Sequence, residues 1–182
     1  MRILAIICVL LVTGCAYNPE KGEQAGREES ARMETTTKPL SSFKHYDVKP
    51  MAMVAEISGD EKKLAEAKLL DEKFQAMMSE LIKEWSADDK SGKAGTLVIQ
   101  PSLERLRVVS GGARFFIGVF AGGSEIEMDL ILTDGVSGSS VGKPRINRES
   151  GAWAGAWTFG KADDNLLDYI VEISHQYLLK NY

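Results

Sequence analysis

The chain has 182 residues, 44% hydrophobic and 26% charged, with 22 Lys and Arg against 26 Asp and Glu. That balance fits one ordinary globular domain with a tail, and it excludes collagen-like, disulfide-dense and wholly disordered classes. A formal net charge of −4 supplies no general attraction for nucleic acid, so no nucleic-acid partner is expected.

Met1-Arg2 is followed by the apolar run Ile3-Leu4-Ala5-Ile6-Ile7-Cys8-Val9-Leu10-Leu11-Val12. Ten such residues rise about 15 Å as a helix, half of the ~30 Å hydrocarbon core, so the run is too short for a stable span and has the proportions of an export signal. Val12-Thr13-Gly14-Cys15 then resembles the bacterial lipobox, in which the cysteine is acylated and becomes the first residue after cleavage. Residues 1–14 are therefore read as a lipoprotein signal peptide and Cys15 as the lipidated residue. Two or three acyl chains hold a protein firmly to a membrane where one holds it only marginally. With Cys8 removed and Cys15 acylated, the mature chain keeps no thiol for a disulfide or a metal. Loss of Arg2 leaves 21 basic against 26 acidic residues, or −5. Ala16 after the cysteine is the family's pattern for sorting to the outer membrane in a Gram-negative host.

Residues 15–42 are rich in Glu, Lys, Gly, Thr and Pro and poor in large apolar side chains. Such a segment buries too little to offset its ordering entropy, which predicts a disordered tether reaching about 25–30 Å. Residues 43–182 form the single folded domain. Phe43 to Ile57 reads as extended, broken at Pro50. Asp60 to Trp85 reads as a helix with Ala67, Leu70, Phe74, Met77, Met78, Leu81 and Trp85 on one stripe.

After the polar connector Asp88–Lys93, Thr96–Ile99 starts a strand that Pro101 interrupts and Leu103–Val109 resumes. Glu125–Thr133 alternates, with Ile126, Met128, Leu130 and Leu132 inward and Glu125, Glu127 and Asp129 on an exposed face. Asp134-Gly135 signals a turn into the Gly- and Ser-rich hairpin Val136–Lys143. A last helix runs from an N-cap at Asp163 to Leu179, burying Leu166, Leu167, Ile170, Ile173, Tyr177 and Leu178. The predicted class is α+β: an antiparallel or mixed sheet with two amphipathic helices on one face.

Three patterns approach known chemistry. Gly138-Ser139-Ser140-Val141-Gly142 fits G-x-S-x-G, with Asp168 and His175 following in triad order, but Lys143-Pro144 blocks the helix that such an elbow needs. Gly155–Ala162 is one residue short of a phosphate-binding loop and has Ala162 in place of the magnesium-holding hydroxyl. Gly118–Gly123 does not fit G-x-G-x-x-G. His45 and His175 are the only imidazoles and lack partners at a ligand spacing, so no metal or cofactor is expected.

The segment Gly111–Gly123 sets Phe115, Phe116 and Phe120 among five glycines. It reads either as a buried strand with close backbone approach or as an apolar surface that docks a partner or enters a membrane. Gly112-Ala113-Arg114-Phe115-Phe116-Ile117-Gly118, Ala121-Gly122 and the strand ending Leu132-Thr133-Asp134 before Gly138 resemble an uncharacterised bacterial lipoprotein family, domain of unknown function 4410. The likeness runs from Thr96 to Leu179 and implies an exported, lipid-anchored α+β domain with no established reaction. The expectation is a non-enzymatic envelope lipoprotein acting by protein–protein contact, with Arg114, Phe115, Phe116, Phe120, Trp153 and Trp157 as contact residues. The alternatives are a small-ligand or lipid-binding domain, and a serine hydrolase acting through Ser140.

Overall fold

The computed structural model describes residues 18–88, 91–107, 123–149 and 161–182. Within them the elements run α1 (Pro19–Arg32), a 3-10 turn (Leu40–Ser42), β1 (His45–Val48), β2 (Ala52–Met53), α2 (Ala55–Ser58), α3 (Glu61–Ser86), β3 (Thr96–Arg107), β4 (Glu125–Asp134), β5 (Ser140–Gly142), β6 (Arg145–Glu149) and α4 (Lys161–Asn181). The class is α+β, and the sheet is mixed. β1 and β2 pair in parallel with one edge of β3, β3 pairs antiparallel with β4, and β5 and β6 both pair antiparallel with the far edge of β4.

The alternating apolar residues of β3 and β4 form one buried surface with the stripes of α3 and α4. Leu97, Ile99, Leu103, Ile126, Met128, Leu130 and Leu132 meet Leu70, Phe74, Met78, Leu81, Ile170, Ile173 and Tyr177 in a single cluster. Asp60 caps α3, its carboxylate accepting from the Lys62 and Lys63 amides (2.9 and 3.1 Å). At the other end of α3, Trp85 stacks on Tyr182 with ring centroids 4.4 Å apart. Asp163, expected as the N-cap of the last helix, lies inside its first turn, because α4 begins at Lys161.

Pro50 does break the first strand, and the gap is stitched by side chains. The Asp71 carboxylate accepts from the Met51 amide (3.1 Å), while Gln75 and Gln100 donate to the carbonyls of Lys49 (2.9 Å) and Pro50 (2.6 Å). Pro101, expected to interrupt its strand, does not. It lies opposite Leu130, whose amide points away from β3 to the Pro144 carbonyl (3.0 Å). The pair is thus a non-hydrogen-bonded one, and the missing Pro101 N–H faces the gap between β1 and β2, where no ladder bond is lost. The register slips only further on, between Leu103 and Arg105.

The expected disordered tether is corrected over most of its length. Residues 19–32 form α1, and α1 packs against α4. Its start carries ordinary signals: Asn18 caps the Lys21 amide (3.3 Å), Pro19 occupies the first helical position and Glu20 the first turn. Its outer surface is tied by Glu23–Arg27, Gln24–Glu28 (2.9 Å) and Glu29–Arg32 (3.6 Å) pairs. The buried face is Gly22, Gly26 and Ser30, one residue every four. A Cβ on Gly26 would stand 3.1 Å from the Glu172 carbonyl oxygen and 3.0 Å from Gln176 Cγ. Absent side chains let the two backbones approach, and Lys180 closes the contact by donating to the Ser30 and Met33 carbonyls, both at 2.9 Å. The domain therefore begins near Asn18, and three long helices, rather than two, accompany the sheet.

Candidate functional site

A cleft of about 530 Å³ is lined by Met33, Glu34, Thr35, Thr37, Ser140–Arg145 and Tyr177. It exists because the chain leaving α1 runs along the free edge of β5. The Thr37 amide and hydroxyl both donate to the Val141 carbonyl (2.8 and 3.3 Å). Asn181 holds the same segment from α4, accepting from the Thr36 amide (2.9 Å) while its own amide donates to the Tyr177 carbonyl (2.7 Å). Gly142 lets this junction close. A Cβ there would lie 3.2 Å from both the Thr36 methyl and the Tyr177 hydroxyl. Burial, and then the negative Glu34, push the Tyr177 phenol above its ordinary pKa, so it is neutral at physiological pH and can donate a hydrogen bond.

Beside the cleft lies a charge network on the sheet face opposite the helices. Asp129, expected on an exposed face, is only 1% accessible. The correction has a non-local cause: β6 and the turn before it bring Arg145 and Lys143 over the carboxylate. Arg145 is bidentate to it (Nε 2.7 Å, Nη2 3.1 Å) and Lys143 lies at 3.0 Å. Arg145 also reaches Glu127 (2.8 Å), and Arg105 bridges Glu125 (3.2 Å) and Glu127 (3.9 Å). The Arg145 hydrogen bond outweighs burial and holds the Asp129 carboxyl below its usual range. Both cations that line the cleft are thereby partnered.

The hydroxyls of Thr35, Thr37 and Ser140 beside the neutral phenol can hold a small polar group. They do not make a nucleophile and base. Ser140 opens β5, and β6 follows it, so the G-x-S-x-G stretch is strand, turn and strand rather than an elbow leading into a helix. Asp168 pairs with Lys73 (2.6 Å), and His175 lies 3.8 Å from Glu172 on its own helix. Among the described residues no group of three His, Cys, Asp or Glu side chains converges to hold a metal, and no helix is long and apolar enough to cross a membrane.

Cys15, Arg114, Phe115, Phe116, Phe120, Trp153, Trp157 and most of the Gly155–Ala162 stretch lie outside the described residues. The structure does place the elements that flank them. Arg107 ends β3, Glu125 opens β4, Glu149 ends β6 and Lys161 opens α4. The cleft was not anticipated from sequence. Its residues come from three stretches more than 30 positions apart, and no local motif marks it.

No protein-family model and no curated protein matches the chain. Among solved structures it is similar to the PelC dodecamer from Paraburkholderia phytofirmans in two crystal forms. Those matches have 12% identity and TM-scores of 0.42 and 0.40, and they span 78% of this chain and 93–94% of that one. It is also similar to a candidate lipoprotein from Caulobacter crescentus, at 14% identity and a TM-score of 0.31, over 85% of this chain and 96% of that one.

Proposed function

We propose that this protein is a bacterial envelope lipoprotein, anchored by acyl chains on Cys15, that works by contact with another envelope protein and performs no chemistry of its own. The observation that carries the reading is Val12-Thr13-Gly14-Cys15 behind a single positive charge and a ten-residue apolar run. The domain that follows supports it: its cleft beside β5 presents hydroxyls, a neutral phenol and cations already paired to carboxylates. Ala16 favours the outer membrane, facing the periplasm, in a Gram-negative host. The contact residues under this reading are Arg114, Phe115, Phe116, Phe120, Trp153 and Trp157.

The small-ligand alternative draws on the cleft. Its polar lining suits a small polar molecule better than a lipid, which needs a closed apolar cavity. The test of the main reading is membrane fractionation with in-cell photo-crosslinking. Wild type is expected in the membrane fraction with acyl mass on Cys15, and Cys15→Ala in the soluble fraction. A photo-crosslinking residue at Phe116 is expected to give one discrete heavier band. Wild type with an unmodified Cys15 overturns the anchor, and a folded, anchored protein with no intermolecular product overturns the contact surface.

A further inference from the structure

The described elements share a polarity that bears on how an anchored domain sits. Gly26 of α1 lies against Glu172 and Gln176 of α4, and Ser30 against Lys180. Lys73 of α3 meets Asp168, and Trp85 meets Tyr182. All three long helices therefore run in the same direction. β4 runs with them: Arg148, across from Ile126, stands over the Tyr169 ring (5.0 Å), whereas Gly142, across from Leu132, touches Tyr177. One end of the domain thus gathers the starts of α1, α3 and α4, the end of β3, the start of β4 and the end of β6. The opposite end carries the Asp134–Gly138 turn, the 3-10 turn at Leu40–Ser42 and the C-terminus of α4. Lys38–Asp134 (2.5 Å) and the Asn181–Thr36 bond tie that end together.

Only Ala16 and Tyr17 separate Cys15 from the capping residue Asn18. Three Cα–Cα steps span at most about 11 Å. A disordered tether of the predicted length would have left the domain free to tumble at any height. Here α1 is clamped to α4, so the freedom between lipid and core is confined to those three steps.

Resting on the lipidation proposed above, we infer that the end gathering the helix starts rides against a lipid headgroup surface and that the cleft faces away from it. Fourteen residues of α1 rise about 21 Å. Met33, Thr35 and Thr37, and with them the cleft, stand that much farther from the bilayer when α1 is upright. Among the described residues the surface offered to the lipid is the set of helix starts, and any soluble molecule reaches the cleft from the aqueous side.

The test uses the acylated full-length mature protein in phosphatidylethanolamine–phosphatidylglycerol vesicles doped with headgroup spin-labelled lipid. The mature chain has no other thiol, so Glu20→Cys and Val136→Cys each take one fluorophore; Val136 is 80% exposed, and Glu20 is exposed. Several-fold stronger quenching is expected at position 20 than at position 136. A 20-residue Gly-Ser insertion between Ala16 and Tyr17 is expected to abolish that difference. Acylated protein with equal quenching at the two positions, or stronger quenching at 136, overturns the orientation alone. Absence of acyl mass on Cys15 overturns the anchor, and the orientation with it.

Discussion

The packing of α1 on α4 makes Gly26→Leu a demanding test of the fold. The first added carbon would lie 3.1 Å from the Glu172 carbonyl oxygen, which belongs to the α4 backbone and cannot rotate away as the Gln176 and Glu172 side chains can. The remaining three carbons have no space unless the helix axes separate, and overpacking of this kind costs about 1–3 kcal/mol. Leucine returns about 0.8 kcal/mol in helix propensity over glycine. The net loss of docking is about 0.5–2 kcal/mol, which corresponds to roughly 2–30-fold easier opening. A 14-residue polar helix is too short to persist alone, so undocking means melting. Hydrogen-exchange mass spectrometry should show residues 19–32 exchanging faster by that factor, with β3 and β4 unchanged. Gly26→Ala, with one carbon and a propensity gain at least as large as leucine's, should fall close to wild type. Unchanged protection of 19–32 in Gly26→Leu, or exchange of the wild-type segment at unfolded-chain rates, would refute the close-packed helix and restore the disordered tether.

Two further predictions concern the carboxylates. Asp129→Ala removes a buried acceptor from Arg145 and Lys143, whose side chains stay 58% and 55% exposed and can be rehydrated. The expected cost is about 1–3 kcal/mol by urea denaturation, typical of a hydrogen bond to a charged group, and no change in the urea midpoint would overturn the ion network. Because the folded Asp129 carboxyl titrates below its unfolded value of about 3.9, its contribution is complete above that pH and drains as pH falls through the folded value. Asp134 is lowered to about 2, first by the Lys38 hydrogen bond and then by the Ser137 and Val136 amides. Carboxyl NMR should find its midpoint there and find it raised in Lys38→Ala. An unmoved midpoint would show that Lys38 does not hold it.

The elements read most directly from sequence are those that bury large side chains at a regular spacing. Every residue named on the α4 stripe is buried, and so is every one on the α3 stripe except Met77, which is partly buried against the same core. α1 was misread because it packs by what it lacks: Gly22, Gly26 and Ser30 carry no hydrophobic signal, and a polar composition looks disordered when counted by side chain. The legible signs were Asn18-Pro19 and opposite charges three or four apart, as in Glu23–Arg27 and Glu29–Arg32. Pro101 was misjudged because its cost depends on which neighbour its nitrogen faces, and that is decided by the position of the β1–β2 break. Asp129 was misplaced for the same kind of reason, since the cations that bury it come from β6 and the turn before it. The cleft could not be read from any one segment, being assembled from the α1 exit, β5, β6 and α4 together.

α1 belongs to two arguments at once, the fold and the anchor, and that makes them jointly testable. Docked, it leaves at most about 11 Å between Cys15 and the domain. Undocked and extended, its 14 residues would add nearly 50 Å at about 3.4 Å each. The strength of the glycine contact therefore sets the height at which the domain is held, and a mutation far from any lipid should change that height. A fluorophore on Glu61→Cys, at the exposed start of α3, reports it from the core rather than from α1 itself. In wild-type background it should be quenched by headgroup spin labels. In Gly26→Leu, quenching should fall in proportion to the fraction of α1 that has opened, while acylation and membrane attachment stay intact. Residues 19–32 exchanging at unfolded-chain rates, with undiminished quenching at position 61, would mean that the domain is held to the bilayer by something other than α1, and the coupling of anchor to fold would be wrong.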